Sequence, residues 1–197
     1  MGRRCDVMYK YTKMLPYPVD IKKKDLRMAK YIITQLGGYA GELGAALRYF
    51  SQKFNMPDDK GRALLNDIST EEFGHAEMIG AMVHMLTKDA TLKEMQEAGL
   101  EAMYAEHGKG IYPQDSNGVP FSALTFASTG DYLADISEDM AAEEKARAAY
   151  ERLINLAEDP DVIEPLLFLR QREVVHFHRF KELYDSYKNK REGKDTD

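Results

Sequence analysis

The sequence contains one cysteine and no tryptophan. Because Cys5 stands alone, the chain forms no intrachain disulfide and no zinc or iron–sulfur site held by several thiolates. No apolar run approaches the roughly 20 residues of a membrane-spanning helix. Acidic residues outnumber basic ones by 33 to 27, which leaves no basic excess for a nucleic-acid surface. We therefore expect neither nucleic acid nor membrane among the partners.

The N-terminus also lacks the pattern of a secretory signal. Its two arginines, Arg3 and Arg4, are followed by no apolar stretch, so we expect a protein that is not secreted through a signal peptide and is by default cytoplasmic. Residues 1–24 contain Pro16 and Pro18 and show no helical period, which predicts an extended N-terminal arm. Residues 25–190 are then predicted to form one domain, and 191–197 a charged tail.

Hydrophobic periodicity predicts four long helices. They cover approximately residues 25–53, 57–88, 131–157 and 160–190. A short helix is expected near TLKEMQEAG, residues 99–129 look irregular, and there is no strong strand signal. An all-α, four-helix bundle with a long connection between its second and third helices is the ferritin-like arrangement.

The stretch STEEFGHAEM lies inside the second of these helices. Glu72 and His75 are three residues apart and therefore share a helix face. Taken alone, such a pair is more often a solvated surface pair than a metal site. A second Glu-x-x-His, Glu173 with His176, follows in the fourth helix with an offset of 101 residues for both members.

The same offset relates two further glutamates, which a ferritin-like metal site requires from the remaining helices. Glu42 in the first helix maps onto Glu143 in the third, and each precedes its Glu-x-x-His by 30 residues. Tyr49 and Tyr150 follow these glutamates by seven residues. We therefore predict mid-helix glutamates in a pseudo-two-fold, dinuclear site. Either Glu143 or the adjacent Glu144 could be the third-helix ligand, and among the residues themselves only the offset of 101 favours Glu143.

Carboxylates and imidazoles without thiolate favour manganese or iron over softer metals. Several buried carboxylates would be costly without compensating charge, and two divalent cations remove that cost. The neighbouring Glu71 and Glu77 are interpreted as solvated, or as groups that contact the ligands. The three other histidines lack a glutamate three positions before them and are interpreted as ordinary polar residues; they are His84, His107 and His178.

At these positions the sequence resembles the manganese catalase family, and most closely its short branch from the coat of bacterial endospores, the CotJC type. The resemblance is carried by LGGYAGELGAALRYFSQKF, DISTEEFGHAEMIGAM, GVPF, DMAAEEKARAAY and DPDVIEPLLFLRQREVVHF. It implies a ferritin-like bundle that binds two manganese ions and converts hydrogen peroxide to water and dioxygen. It also implies a homo-oligomer, by family a hexamer, with a cytoplasmic or spore-coat location and other coat proteins as further partners.

The resemblance also implies a role for each site residue. Glu72 resembles the carboxylate that bridges both metals. Glu42 and His75 would complete one metal position, and Glu143 and His176 the other, with the family spacing selecting Glu143 over Glu144. Glu173 resembles a group that exchanges protons with peroxide or bridging solvent. This role departs from the generic di-iron pattern, in which both Glu-x-x-His glutamates bind metal.

Two positions differ from the longer members of the family. Those proteins place an arginine just before the third-helix glutamate or a lysine seven residues after it, where this chain has Ala142 and Tyr150. Two alternatives therefore stay open. One is a di-iron oxidase or peroxidase of the ferritin-like superfamily. The other is a structural spore-coat protein whose metal site stabilises the bundle.

Overall fold

The computed structural model describes residues 14–194, and within them every regular element is helical. The parts of the expected arm and tail at residues 1–13 and 195–197 lie outside the described residues. No helix within the described part is both long and apolar enough to cross a membrane. The helices are α1 (Leu26–Ile32), α2 (Thr34–Gly37), α3 (Glu42–Gln52), α4 (Asp59–Thr87), α5 (Leu92–Glu97), α6 (Glu101–His107), α7 (Tyr132–Leu156) and α8 (Pro160–Arg191).

The prediction of an all-α fold is confirmed. The three long helices α4, α7 and α8 begin and end within a few residues of their predicted bounds. Each begins behind an aspartate whose carboxylate accepts hydrogen bonds from the backbone N–H groups of the first turn. These caps are Asp58, Asp131 and Asp159. Helix α7 packs along α8, and α3 along α4, with further contacts between α4 and α8 and between α3 and α7.

The prediction of one continuous first helix is wrong. Its place is taken by α1, α2 and α3, and the chain is extended at Gly38 and Gly41, where ψ is 168° at both residues. Glu42 is consequently the first residue of α3, whereas the sequence pattern placed it in the middle of a helix. The glycines cause the break, because they favour non-helical backbone and cost about 1 kcal/mol each inside a helix.

Gly37 shows why a glycine is needed near the break. A Cβ atom built on it would lie 2.2 Å from the carbonyl carbon of Pro113 and 2.2 Å from the backbone nitrogen of Gln114. The long connection between α4 and α7 therefore touches the backbone of α2 directly. The Ser116 amide also donates to the Thr34 hydroxyl at 2.9 Å, which fixes the connection against the same helix.

The long connection is more structured than predicted. The expected short helix is confirmed as α5, but α6 and a 3-10 turn at Ala123–Thr125 lie inside residues 99–129, which looked irregular. Around Gly118 the chain turns back, with an isolated antiparallel bridge between Gln114 and Pro120. The Asp115 carboxylate accepts from the amides of Asn117 and Val119 and so closes this turn.

Most of the apolar core lies in two clusters at different levels of the bundle, and a third, smaller cluster includes part of α5. One cluster contains Ile79, Leu166 and Tyr150, and the other contains Ile68 and Phe180. Along α4 and α8, buried polar residues stand between the two clusters. A polar layer is therefore enclosed from both ends by packed hydrocarbon, which lowers its access to water and raises the cost of any unpaired charge there.

Candidate metal centre

All six predicted site residues lie in this polar layer. Each has a relative exposure of 3% or less. Helix α3 supplies one, at its first position; α4 supplies two; α7 supplies one; and α8 supplies two. They are Glu42, Glu72, His75, Glu143, Glu173 and His176.

The side chains form two groups with metal-ligand chemistry, and the groups overlap. In the first, Glu42 and His75 join Glu72 and Glu173, and in the second, Glu143 and His176 join the same two glutamates. The ligand atoms of each group lie within 4.8 Å of one another. The offset of 101 residues that relates the two halves of the sequence therefore relates two half-sites in space.

Glu72 lies between the two imidazoles, with one oxygen toward each. Its Oε2 is 2.9 Å from His75 Nδ1, and its Oε1 is 2.6 Å from His176 Nδ1. Two oxygens that face two different imidazoles are the arrangement expected of a carboxylate that bridges two cations. Glu173 is less evenly placed, with Oε1 3.9 Å from His75 Nδ1.

Glu42 and Glu143 occupy equivalent places at the two ends of the layer. Glu42 Oε2 is 3.6 Å from His75 Nδ1, and Glu143 Oε2 is 3.7 Å from His176 Nδ1. The other oxygen of each accepts from a tyrosine that belongs to the opposite half of the chain. The hydroxyl of Tyr150 donates to Glu42 Oε1, and that of Tyr49 donates to Glu143 Oε1 at 2.5 Å.

Several atoms at the centre have no hydrogen bond although they are buried. They include Glu72 Oε1, Glu143 Oε2, Glu173 Oε1 and His176 Nδ1. Buried polar atoms are normally hydrogen-bonded, and each exception requires an explanation. These atoms lie close together without hydrogen bonds, as expected of ligands that converge on a common cation. The residues present therefore fit divalent metal ions.

The electrostatics of the protein groups alone agree with this fit. Burial, and then the negative charge of Glu72, raises the pKa of Glu42 well above its usual range. Burial and the charge of Glu42 do the same to the pKa of Glu173. Burial opposes a charged imidazole, but the nearby Glu72 raises the pKa of His176 to about 12. The raised pKa values of Glu42 and Glu173 favour their protonated forms in the absence of cations, and metal binding would release those protons.

Glu71, which the sequence allows to be either solvated or in contact with the ligands, lies against both imidazoles. Its side chain is only 24% exposed, and it lies 3.5 Å from His75 Nε2 and 3.1 Å from His176 Nε2. Arg172 holds both of its oxygens, at 2.5 and 3.2 Å. Arg172 also follows Glu71 by 101 residues. The internal repeat was therefore a signal that these two positions meet.

The remaining histidines and the two divergent positions are also placed. His84 and His178 are exposed, and the ring of half-buried His107 stacks on Tyr112 at 3.8 Å between centroids. Ala142 is buried, and its methyl group cannot replace the guanidinium of an arginine. At the position of the lysine of longer family members, the phenol of Tyr150 contacts Glu42 instead.

Comparison with known proteins agrees with the geometry. The family model described as "Manganese containing catalase" matches residues 8–194. The chain is 49% identical to Protein CotJC of Bacillus subtilis (strain 168) over 187 residues, which is 95% of this chain and 98% of that protein. It is 35% identical to a manganese catalase of Bacillus subtilis over 182 residues, which is 86% of this chain and 67% of that protein.

The fold agrees as well. The crystal structure of wild-type KatB, a manganese catalase from Anabaena, superposes with a TM-score of 0.83 and 34% sequence identity. The alignment covers 91% of this chain and 81% of that one. The expected ferritin-like helical fold is thereby confirmed. The chain belongs to the manganese-containing catalase family.

Proposed function

We propose that this protein is a manganese catalase that disproportionates hydrogen peroxide to water and dioxygen at a dinuclear manganese site. The observation that carries the proposal is the pair of buried ligand groups that share Glu72. Each group contains carboxylates and an imidazole without sulfur, which suits manganese or iron. The family membership and the 35% identity to a manganese catalase favour manganese.

In this proposal the ligand roles follow the contacts. Glu72 bridges the two metal positions, because its two oxygens face His75 and His176 separately. Glu42 with His75 completes one position, and Glu143 with His176 completes the other. Tyr49 and Tyr150 hold the second oxygens of the terminal glutamates and so restrict the way in which these carboxylates turn.

The reaction needs both electrons and protons to be stored between two peroxide molecules. One peroxide loses two electrons and two protons to become dioxygen, and the other takes up two electrons and two protons to become two waters. When bound, a manganese pair supplies the two-electron store. We assign the movement of a proton to Glu173, which is buried, belongs to both groups and has an Oε1 without a hydrogen bond. A carboxyl group at that place can take a proton from one peroxide and return it to the next.

Two observations support a second proposal, in which the protein has a structural role. The chain spans 98% of CotJC at 49% identity, and Tyr150 replaces the lysine of longer family members. We propose a spore-coat location on the strength of this likeness, with other coat proteins as partners.

A homo-oligomer, by family resemblance a hexamer, is also proposed. The connection before α7 carries apolar side chains exposed enough for a partner copy, with Val119 at 59% and Leu124 at 95%.

The deciding experiment combines metal content with turnover. The protein is purified, its manganese and iron are quantified, and dioxygen release from hydrogen peroxide is followed for the wild type and for Glu72→Ala. Glu144→Gln is the matched control, because Glu144 adjoins a proposed ligand in sequence but pairs with Arg147 at the surface. We expect about two manganese ions per chain and dioxygen release that Glu72→Ala abolishes and Glu144→Gln retains.

The other outcomes separate the alternatives. Iron in place of manganese, with no dioxygen release in either metal form, would favour a di-iron oxidase or peroxidase. Manganese binding that raises the melting temperature without turnover would favour the structural role. Light scattering on the same preparation measures the number of chains per particle. A monomer at micromolar concentration would contradict the proposed oligomer.

A further inference from the structure

A buried ion pair lies next to the centre and belongs to neither ligand group. Arg48 Nε is 3.4 Å from Asp139 Oδ1, and the two side chains are 7% and 0% exposed. Neither oxygen of Asp139 has a hydrogen bond of good geometry. Burying such a pair costs more than its attraction returns unless the surroundings complete it, and apolar residues often stabilise a core better. A role beyond stability therefore has to explain it.

The pair reaches the centre through Tyr49. An Arg48 Nη2–H donates to the Tyr49 hydroxyl oxygen at 3.4 Å, and the guanidinium carbon lies 5.2 Å from the centroid of the same ring. A phenol has one hydrogen to donate. Because its oxygen receives the Arg48 donor, its own hydrogen is directed to Glu143 Oε1, 2.5 Å away. Asp139 in turn holds Arg48 in this orientation.

The equivalent half-site has no such pair. The residues related to Arg48 and Asp139 by the offset of 101 are Ala149 and Gly38. Among the hydrogen bonds of residues 14–194, the Tyr150 hydroxyl has Glu42 as its partner and no cation behind it. The ligands are duplicated, but the group that polarises one tyrosine is not.

We infer that Arg48 and Asp139 are positioning residues that fix the Tyr49 hydroxyl as a donor to Glu143 and thereby make the two metal positions unequal. A charged donor behind the phenol strengthens its hydrogen bond to the carboxylate. That bond withdraws electron density from Glu143, which becomes a weaker ligand than Glu42. The position of Glu143 and His176 should then bind its cation more weakly. This inference rests on the proposed dinuclear site.

The test measures metal affinity. Metal-free protein is titrated with manganese(II) alone, and binding is followed by calorimetry and by electron paramagnetic resonance, which distinguishes isolated from coupled manganese. We expect the wild type to load in two steps whose affinities differ by about tenfold or more, the size of effect that groups behind ligands commonly have. In Arg48→Met/Asp139→Asn, which removes both charges, the second step should tighten and the two affinities should converge.

A double-mutant cycle identifies the route of the effect. Tyr49→Phe should tighten the second step as the charge-free pair does, and combining it with Arg48→Met/Asp139→Asn should add nothing further. Tyr150→Phe is the matched control on the other half-site, and its effect should add to that of the pair. Arg48→Lys keeps the charge and the partner of Asp139 but loses the Nη2 donor. It should also tighten the second step, and it decides the question if the charge-free variant fails to fold.

Three results would overturn the inference. These are unchanged affinities in the Arg48 variants, full additivity with Tyr49→Phe, and equal affinities in the wild type. The proposed function fails separately. Two-step manganese loading without dioxygen release would contradict catalase activity but support unequal affinities of the two metal positions. Dioxygen release from a protein with two equal affinities would support catalase activity but contradict the inference.

Discussion

At the scale of single residues, one carboxylate lies near the Nε2 atoms of both imidazoles of the centre, on the side away from the other ligands' Nδ1 contacts. Glu71 lies 3.5 and 3.1 Å from their two Nε2 atoms, and Arg172 holds it there. Burial opposes the charged form of Glu71, but His176, His75 and Arg172 together lower its pKa well below the usual range. A carboxylate acceptor on this side favours Nε2–H, and so leaves both Nδ1 atoms free for metal.

Replacing Glu71 should therefore weaken both metal positions together. We expect Glu71→Ala to lower manganese affinity by about 10–100-fold, as removal of a partner behind a ligating histidine commonly does. Glu71→Gln, which keeps one acceptor oxygen, should lie between this variant and the wild type. Calorimetric titration with manganese measures the effect, and Glu144→Gln serves as the control for loss of a charge beside a ligand. Affinity that stays at the wild-type value in Glu71→Ala would contradict the assignment.

Much of the centre was predictable at this scale because the repeat recurs with one offset. The structure buries Glu143 in the polar layer, whereas Glu144 pairs with Arg147 at the surface. The crossed tyrosine contacts were not predictable. Sequence spacing places Tyr49 on the same helix face as Glu42, but its hydroxyl reaches the glutamate of the other half because of how α3 packs against α7.

At the scale of elements, the three long helices were predictable and the first was not. Helices α4, α7 and α8 carry both a 3.6-residue apolar period and an aspartate cap, so that local and global preferences agree. The segment of residues 25–53 has the same period, but Gly37 serves a close contact with Pro113 and Gln114, which are distant in sequence. Local propensity contains no information about that contact.

Gly37→Ala tests that contact. The added methyl group would overlap the backbone at Pro113 and Gln114, and overpacking of this kind costs about 1–3 kcal/mol of unfolding free energy. Gly80→Ala is the matched control, because its nearest neighbour is Ile111 Cγ2 at 3.9 Å and it lies inside α4. The control should stabilise by up to about 1 kcal/mol. Denaturant unfolding measures both changes, and equal stability of the two variants would refute the argument.

The cap of α4 gives a pH-dependent prediction. Hydrogen bonds from the Tyr187 hydroxyl and the Gly61 amide lower the pKa of Asp58 below its ordinary value. Its stabilising contribution is therefore present above about pH 4 and is lost as the pH falls through the lowered pKa. We expect Asp58→Ala to cost about 1–2 kcal/mol near neutral pH. The difference from the wild type should shrink in acid, as measured by unfolding at a series of pH values.

Asp58→Asn separates the two parts of this effect. Asparagine is also a good helix cap, but it has no charge to lose. The stability of Asp58→Asn relative to the wild type should therefore improve as the pH falls. A difference that stays constant from neutral pH into acid would show that the charge of Asp58 does not contribute.

At the scale of the whole molecule, the fold encloses a polar layer between two apolar clusters. Ile68 and Phe180 lie on one side of the layer, and Ile79 and Leu166 on the other. Four glutamates and two histidines in such a place are costly without cations. The metal site and the stability of the bundle should therefore be linked, whatever the catalytic rate.

Manganese should accordingly raise the melting temperature. A ligand at 100 times its dissociation constant stabilises the native state by about 2.7 kcal/mol. For a chain of this size that corresponds to a rise of about 5–10 °C. Thermal unfolding with manganese or with a chelator measures the shift, and in Glu72→Ala the shift should largely disappear. A wild type that melts at the same temperature in both conditions would contradict a metal site in this layer.

The ion pair of Glu71 with Arg172 also bears on how a chain with two repeated halves can arise. If two identical helical hairpins associated about a two-fold axis, equivalent positions would carry the same residue, and this place would bring two glutamates or two arginines together. A contact between unlike charges at equivalent positions requires two halves that have already diverged. After duplication of an ancestral hairpin, this substitution would have favoured pairing of the first half with the second over pairing of like halves.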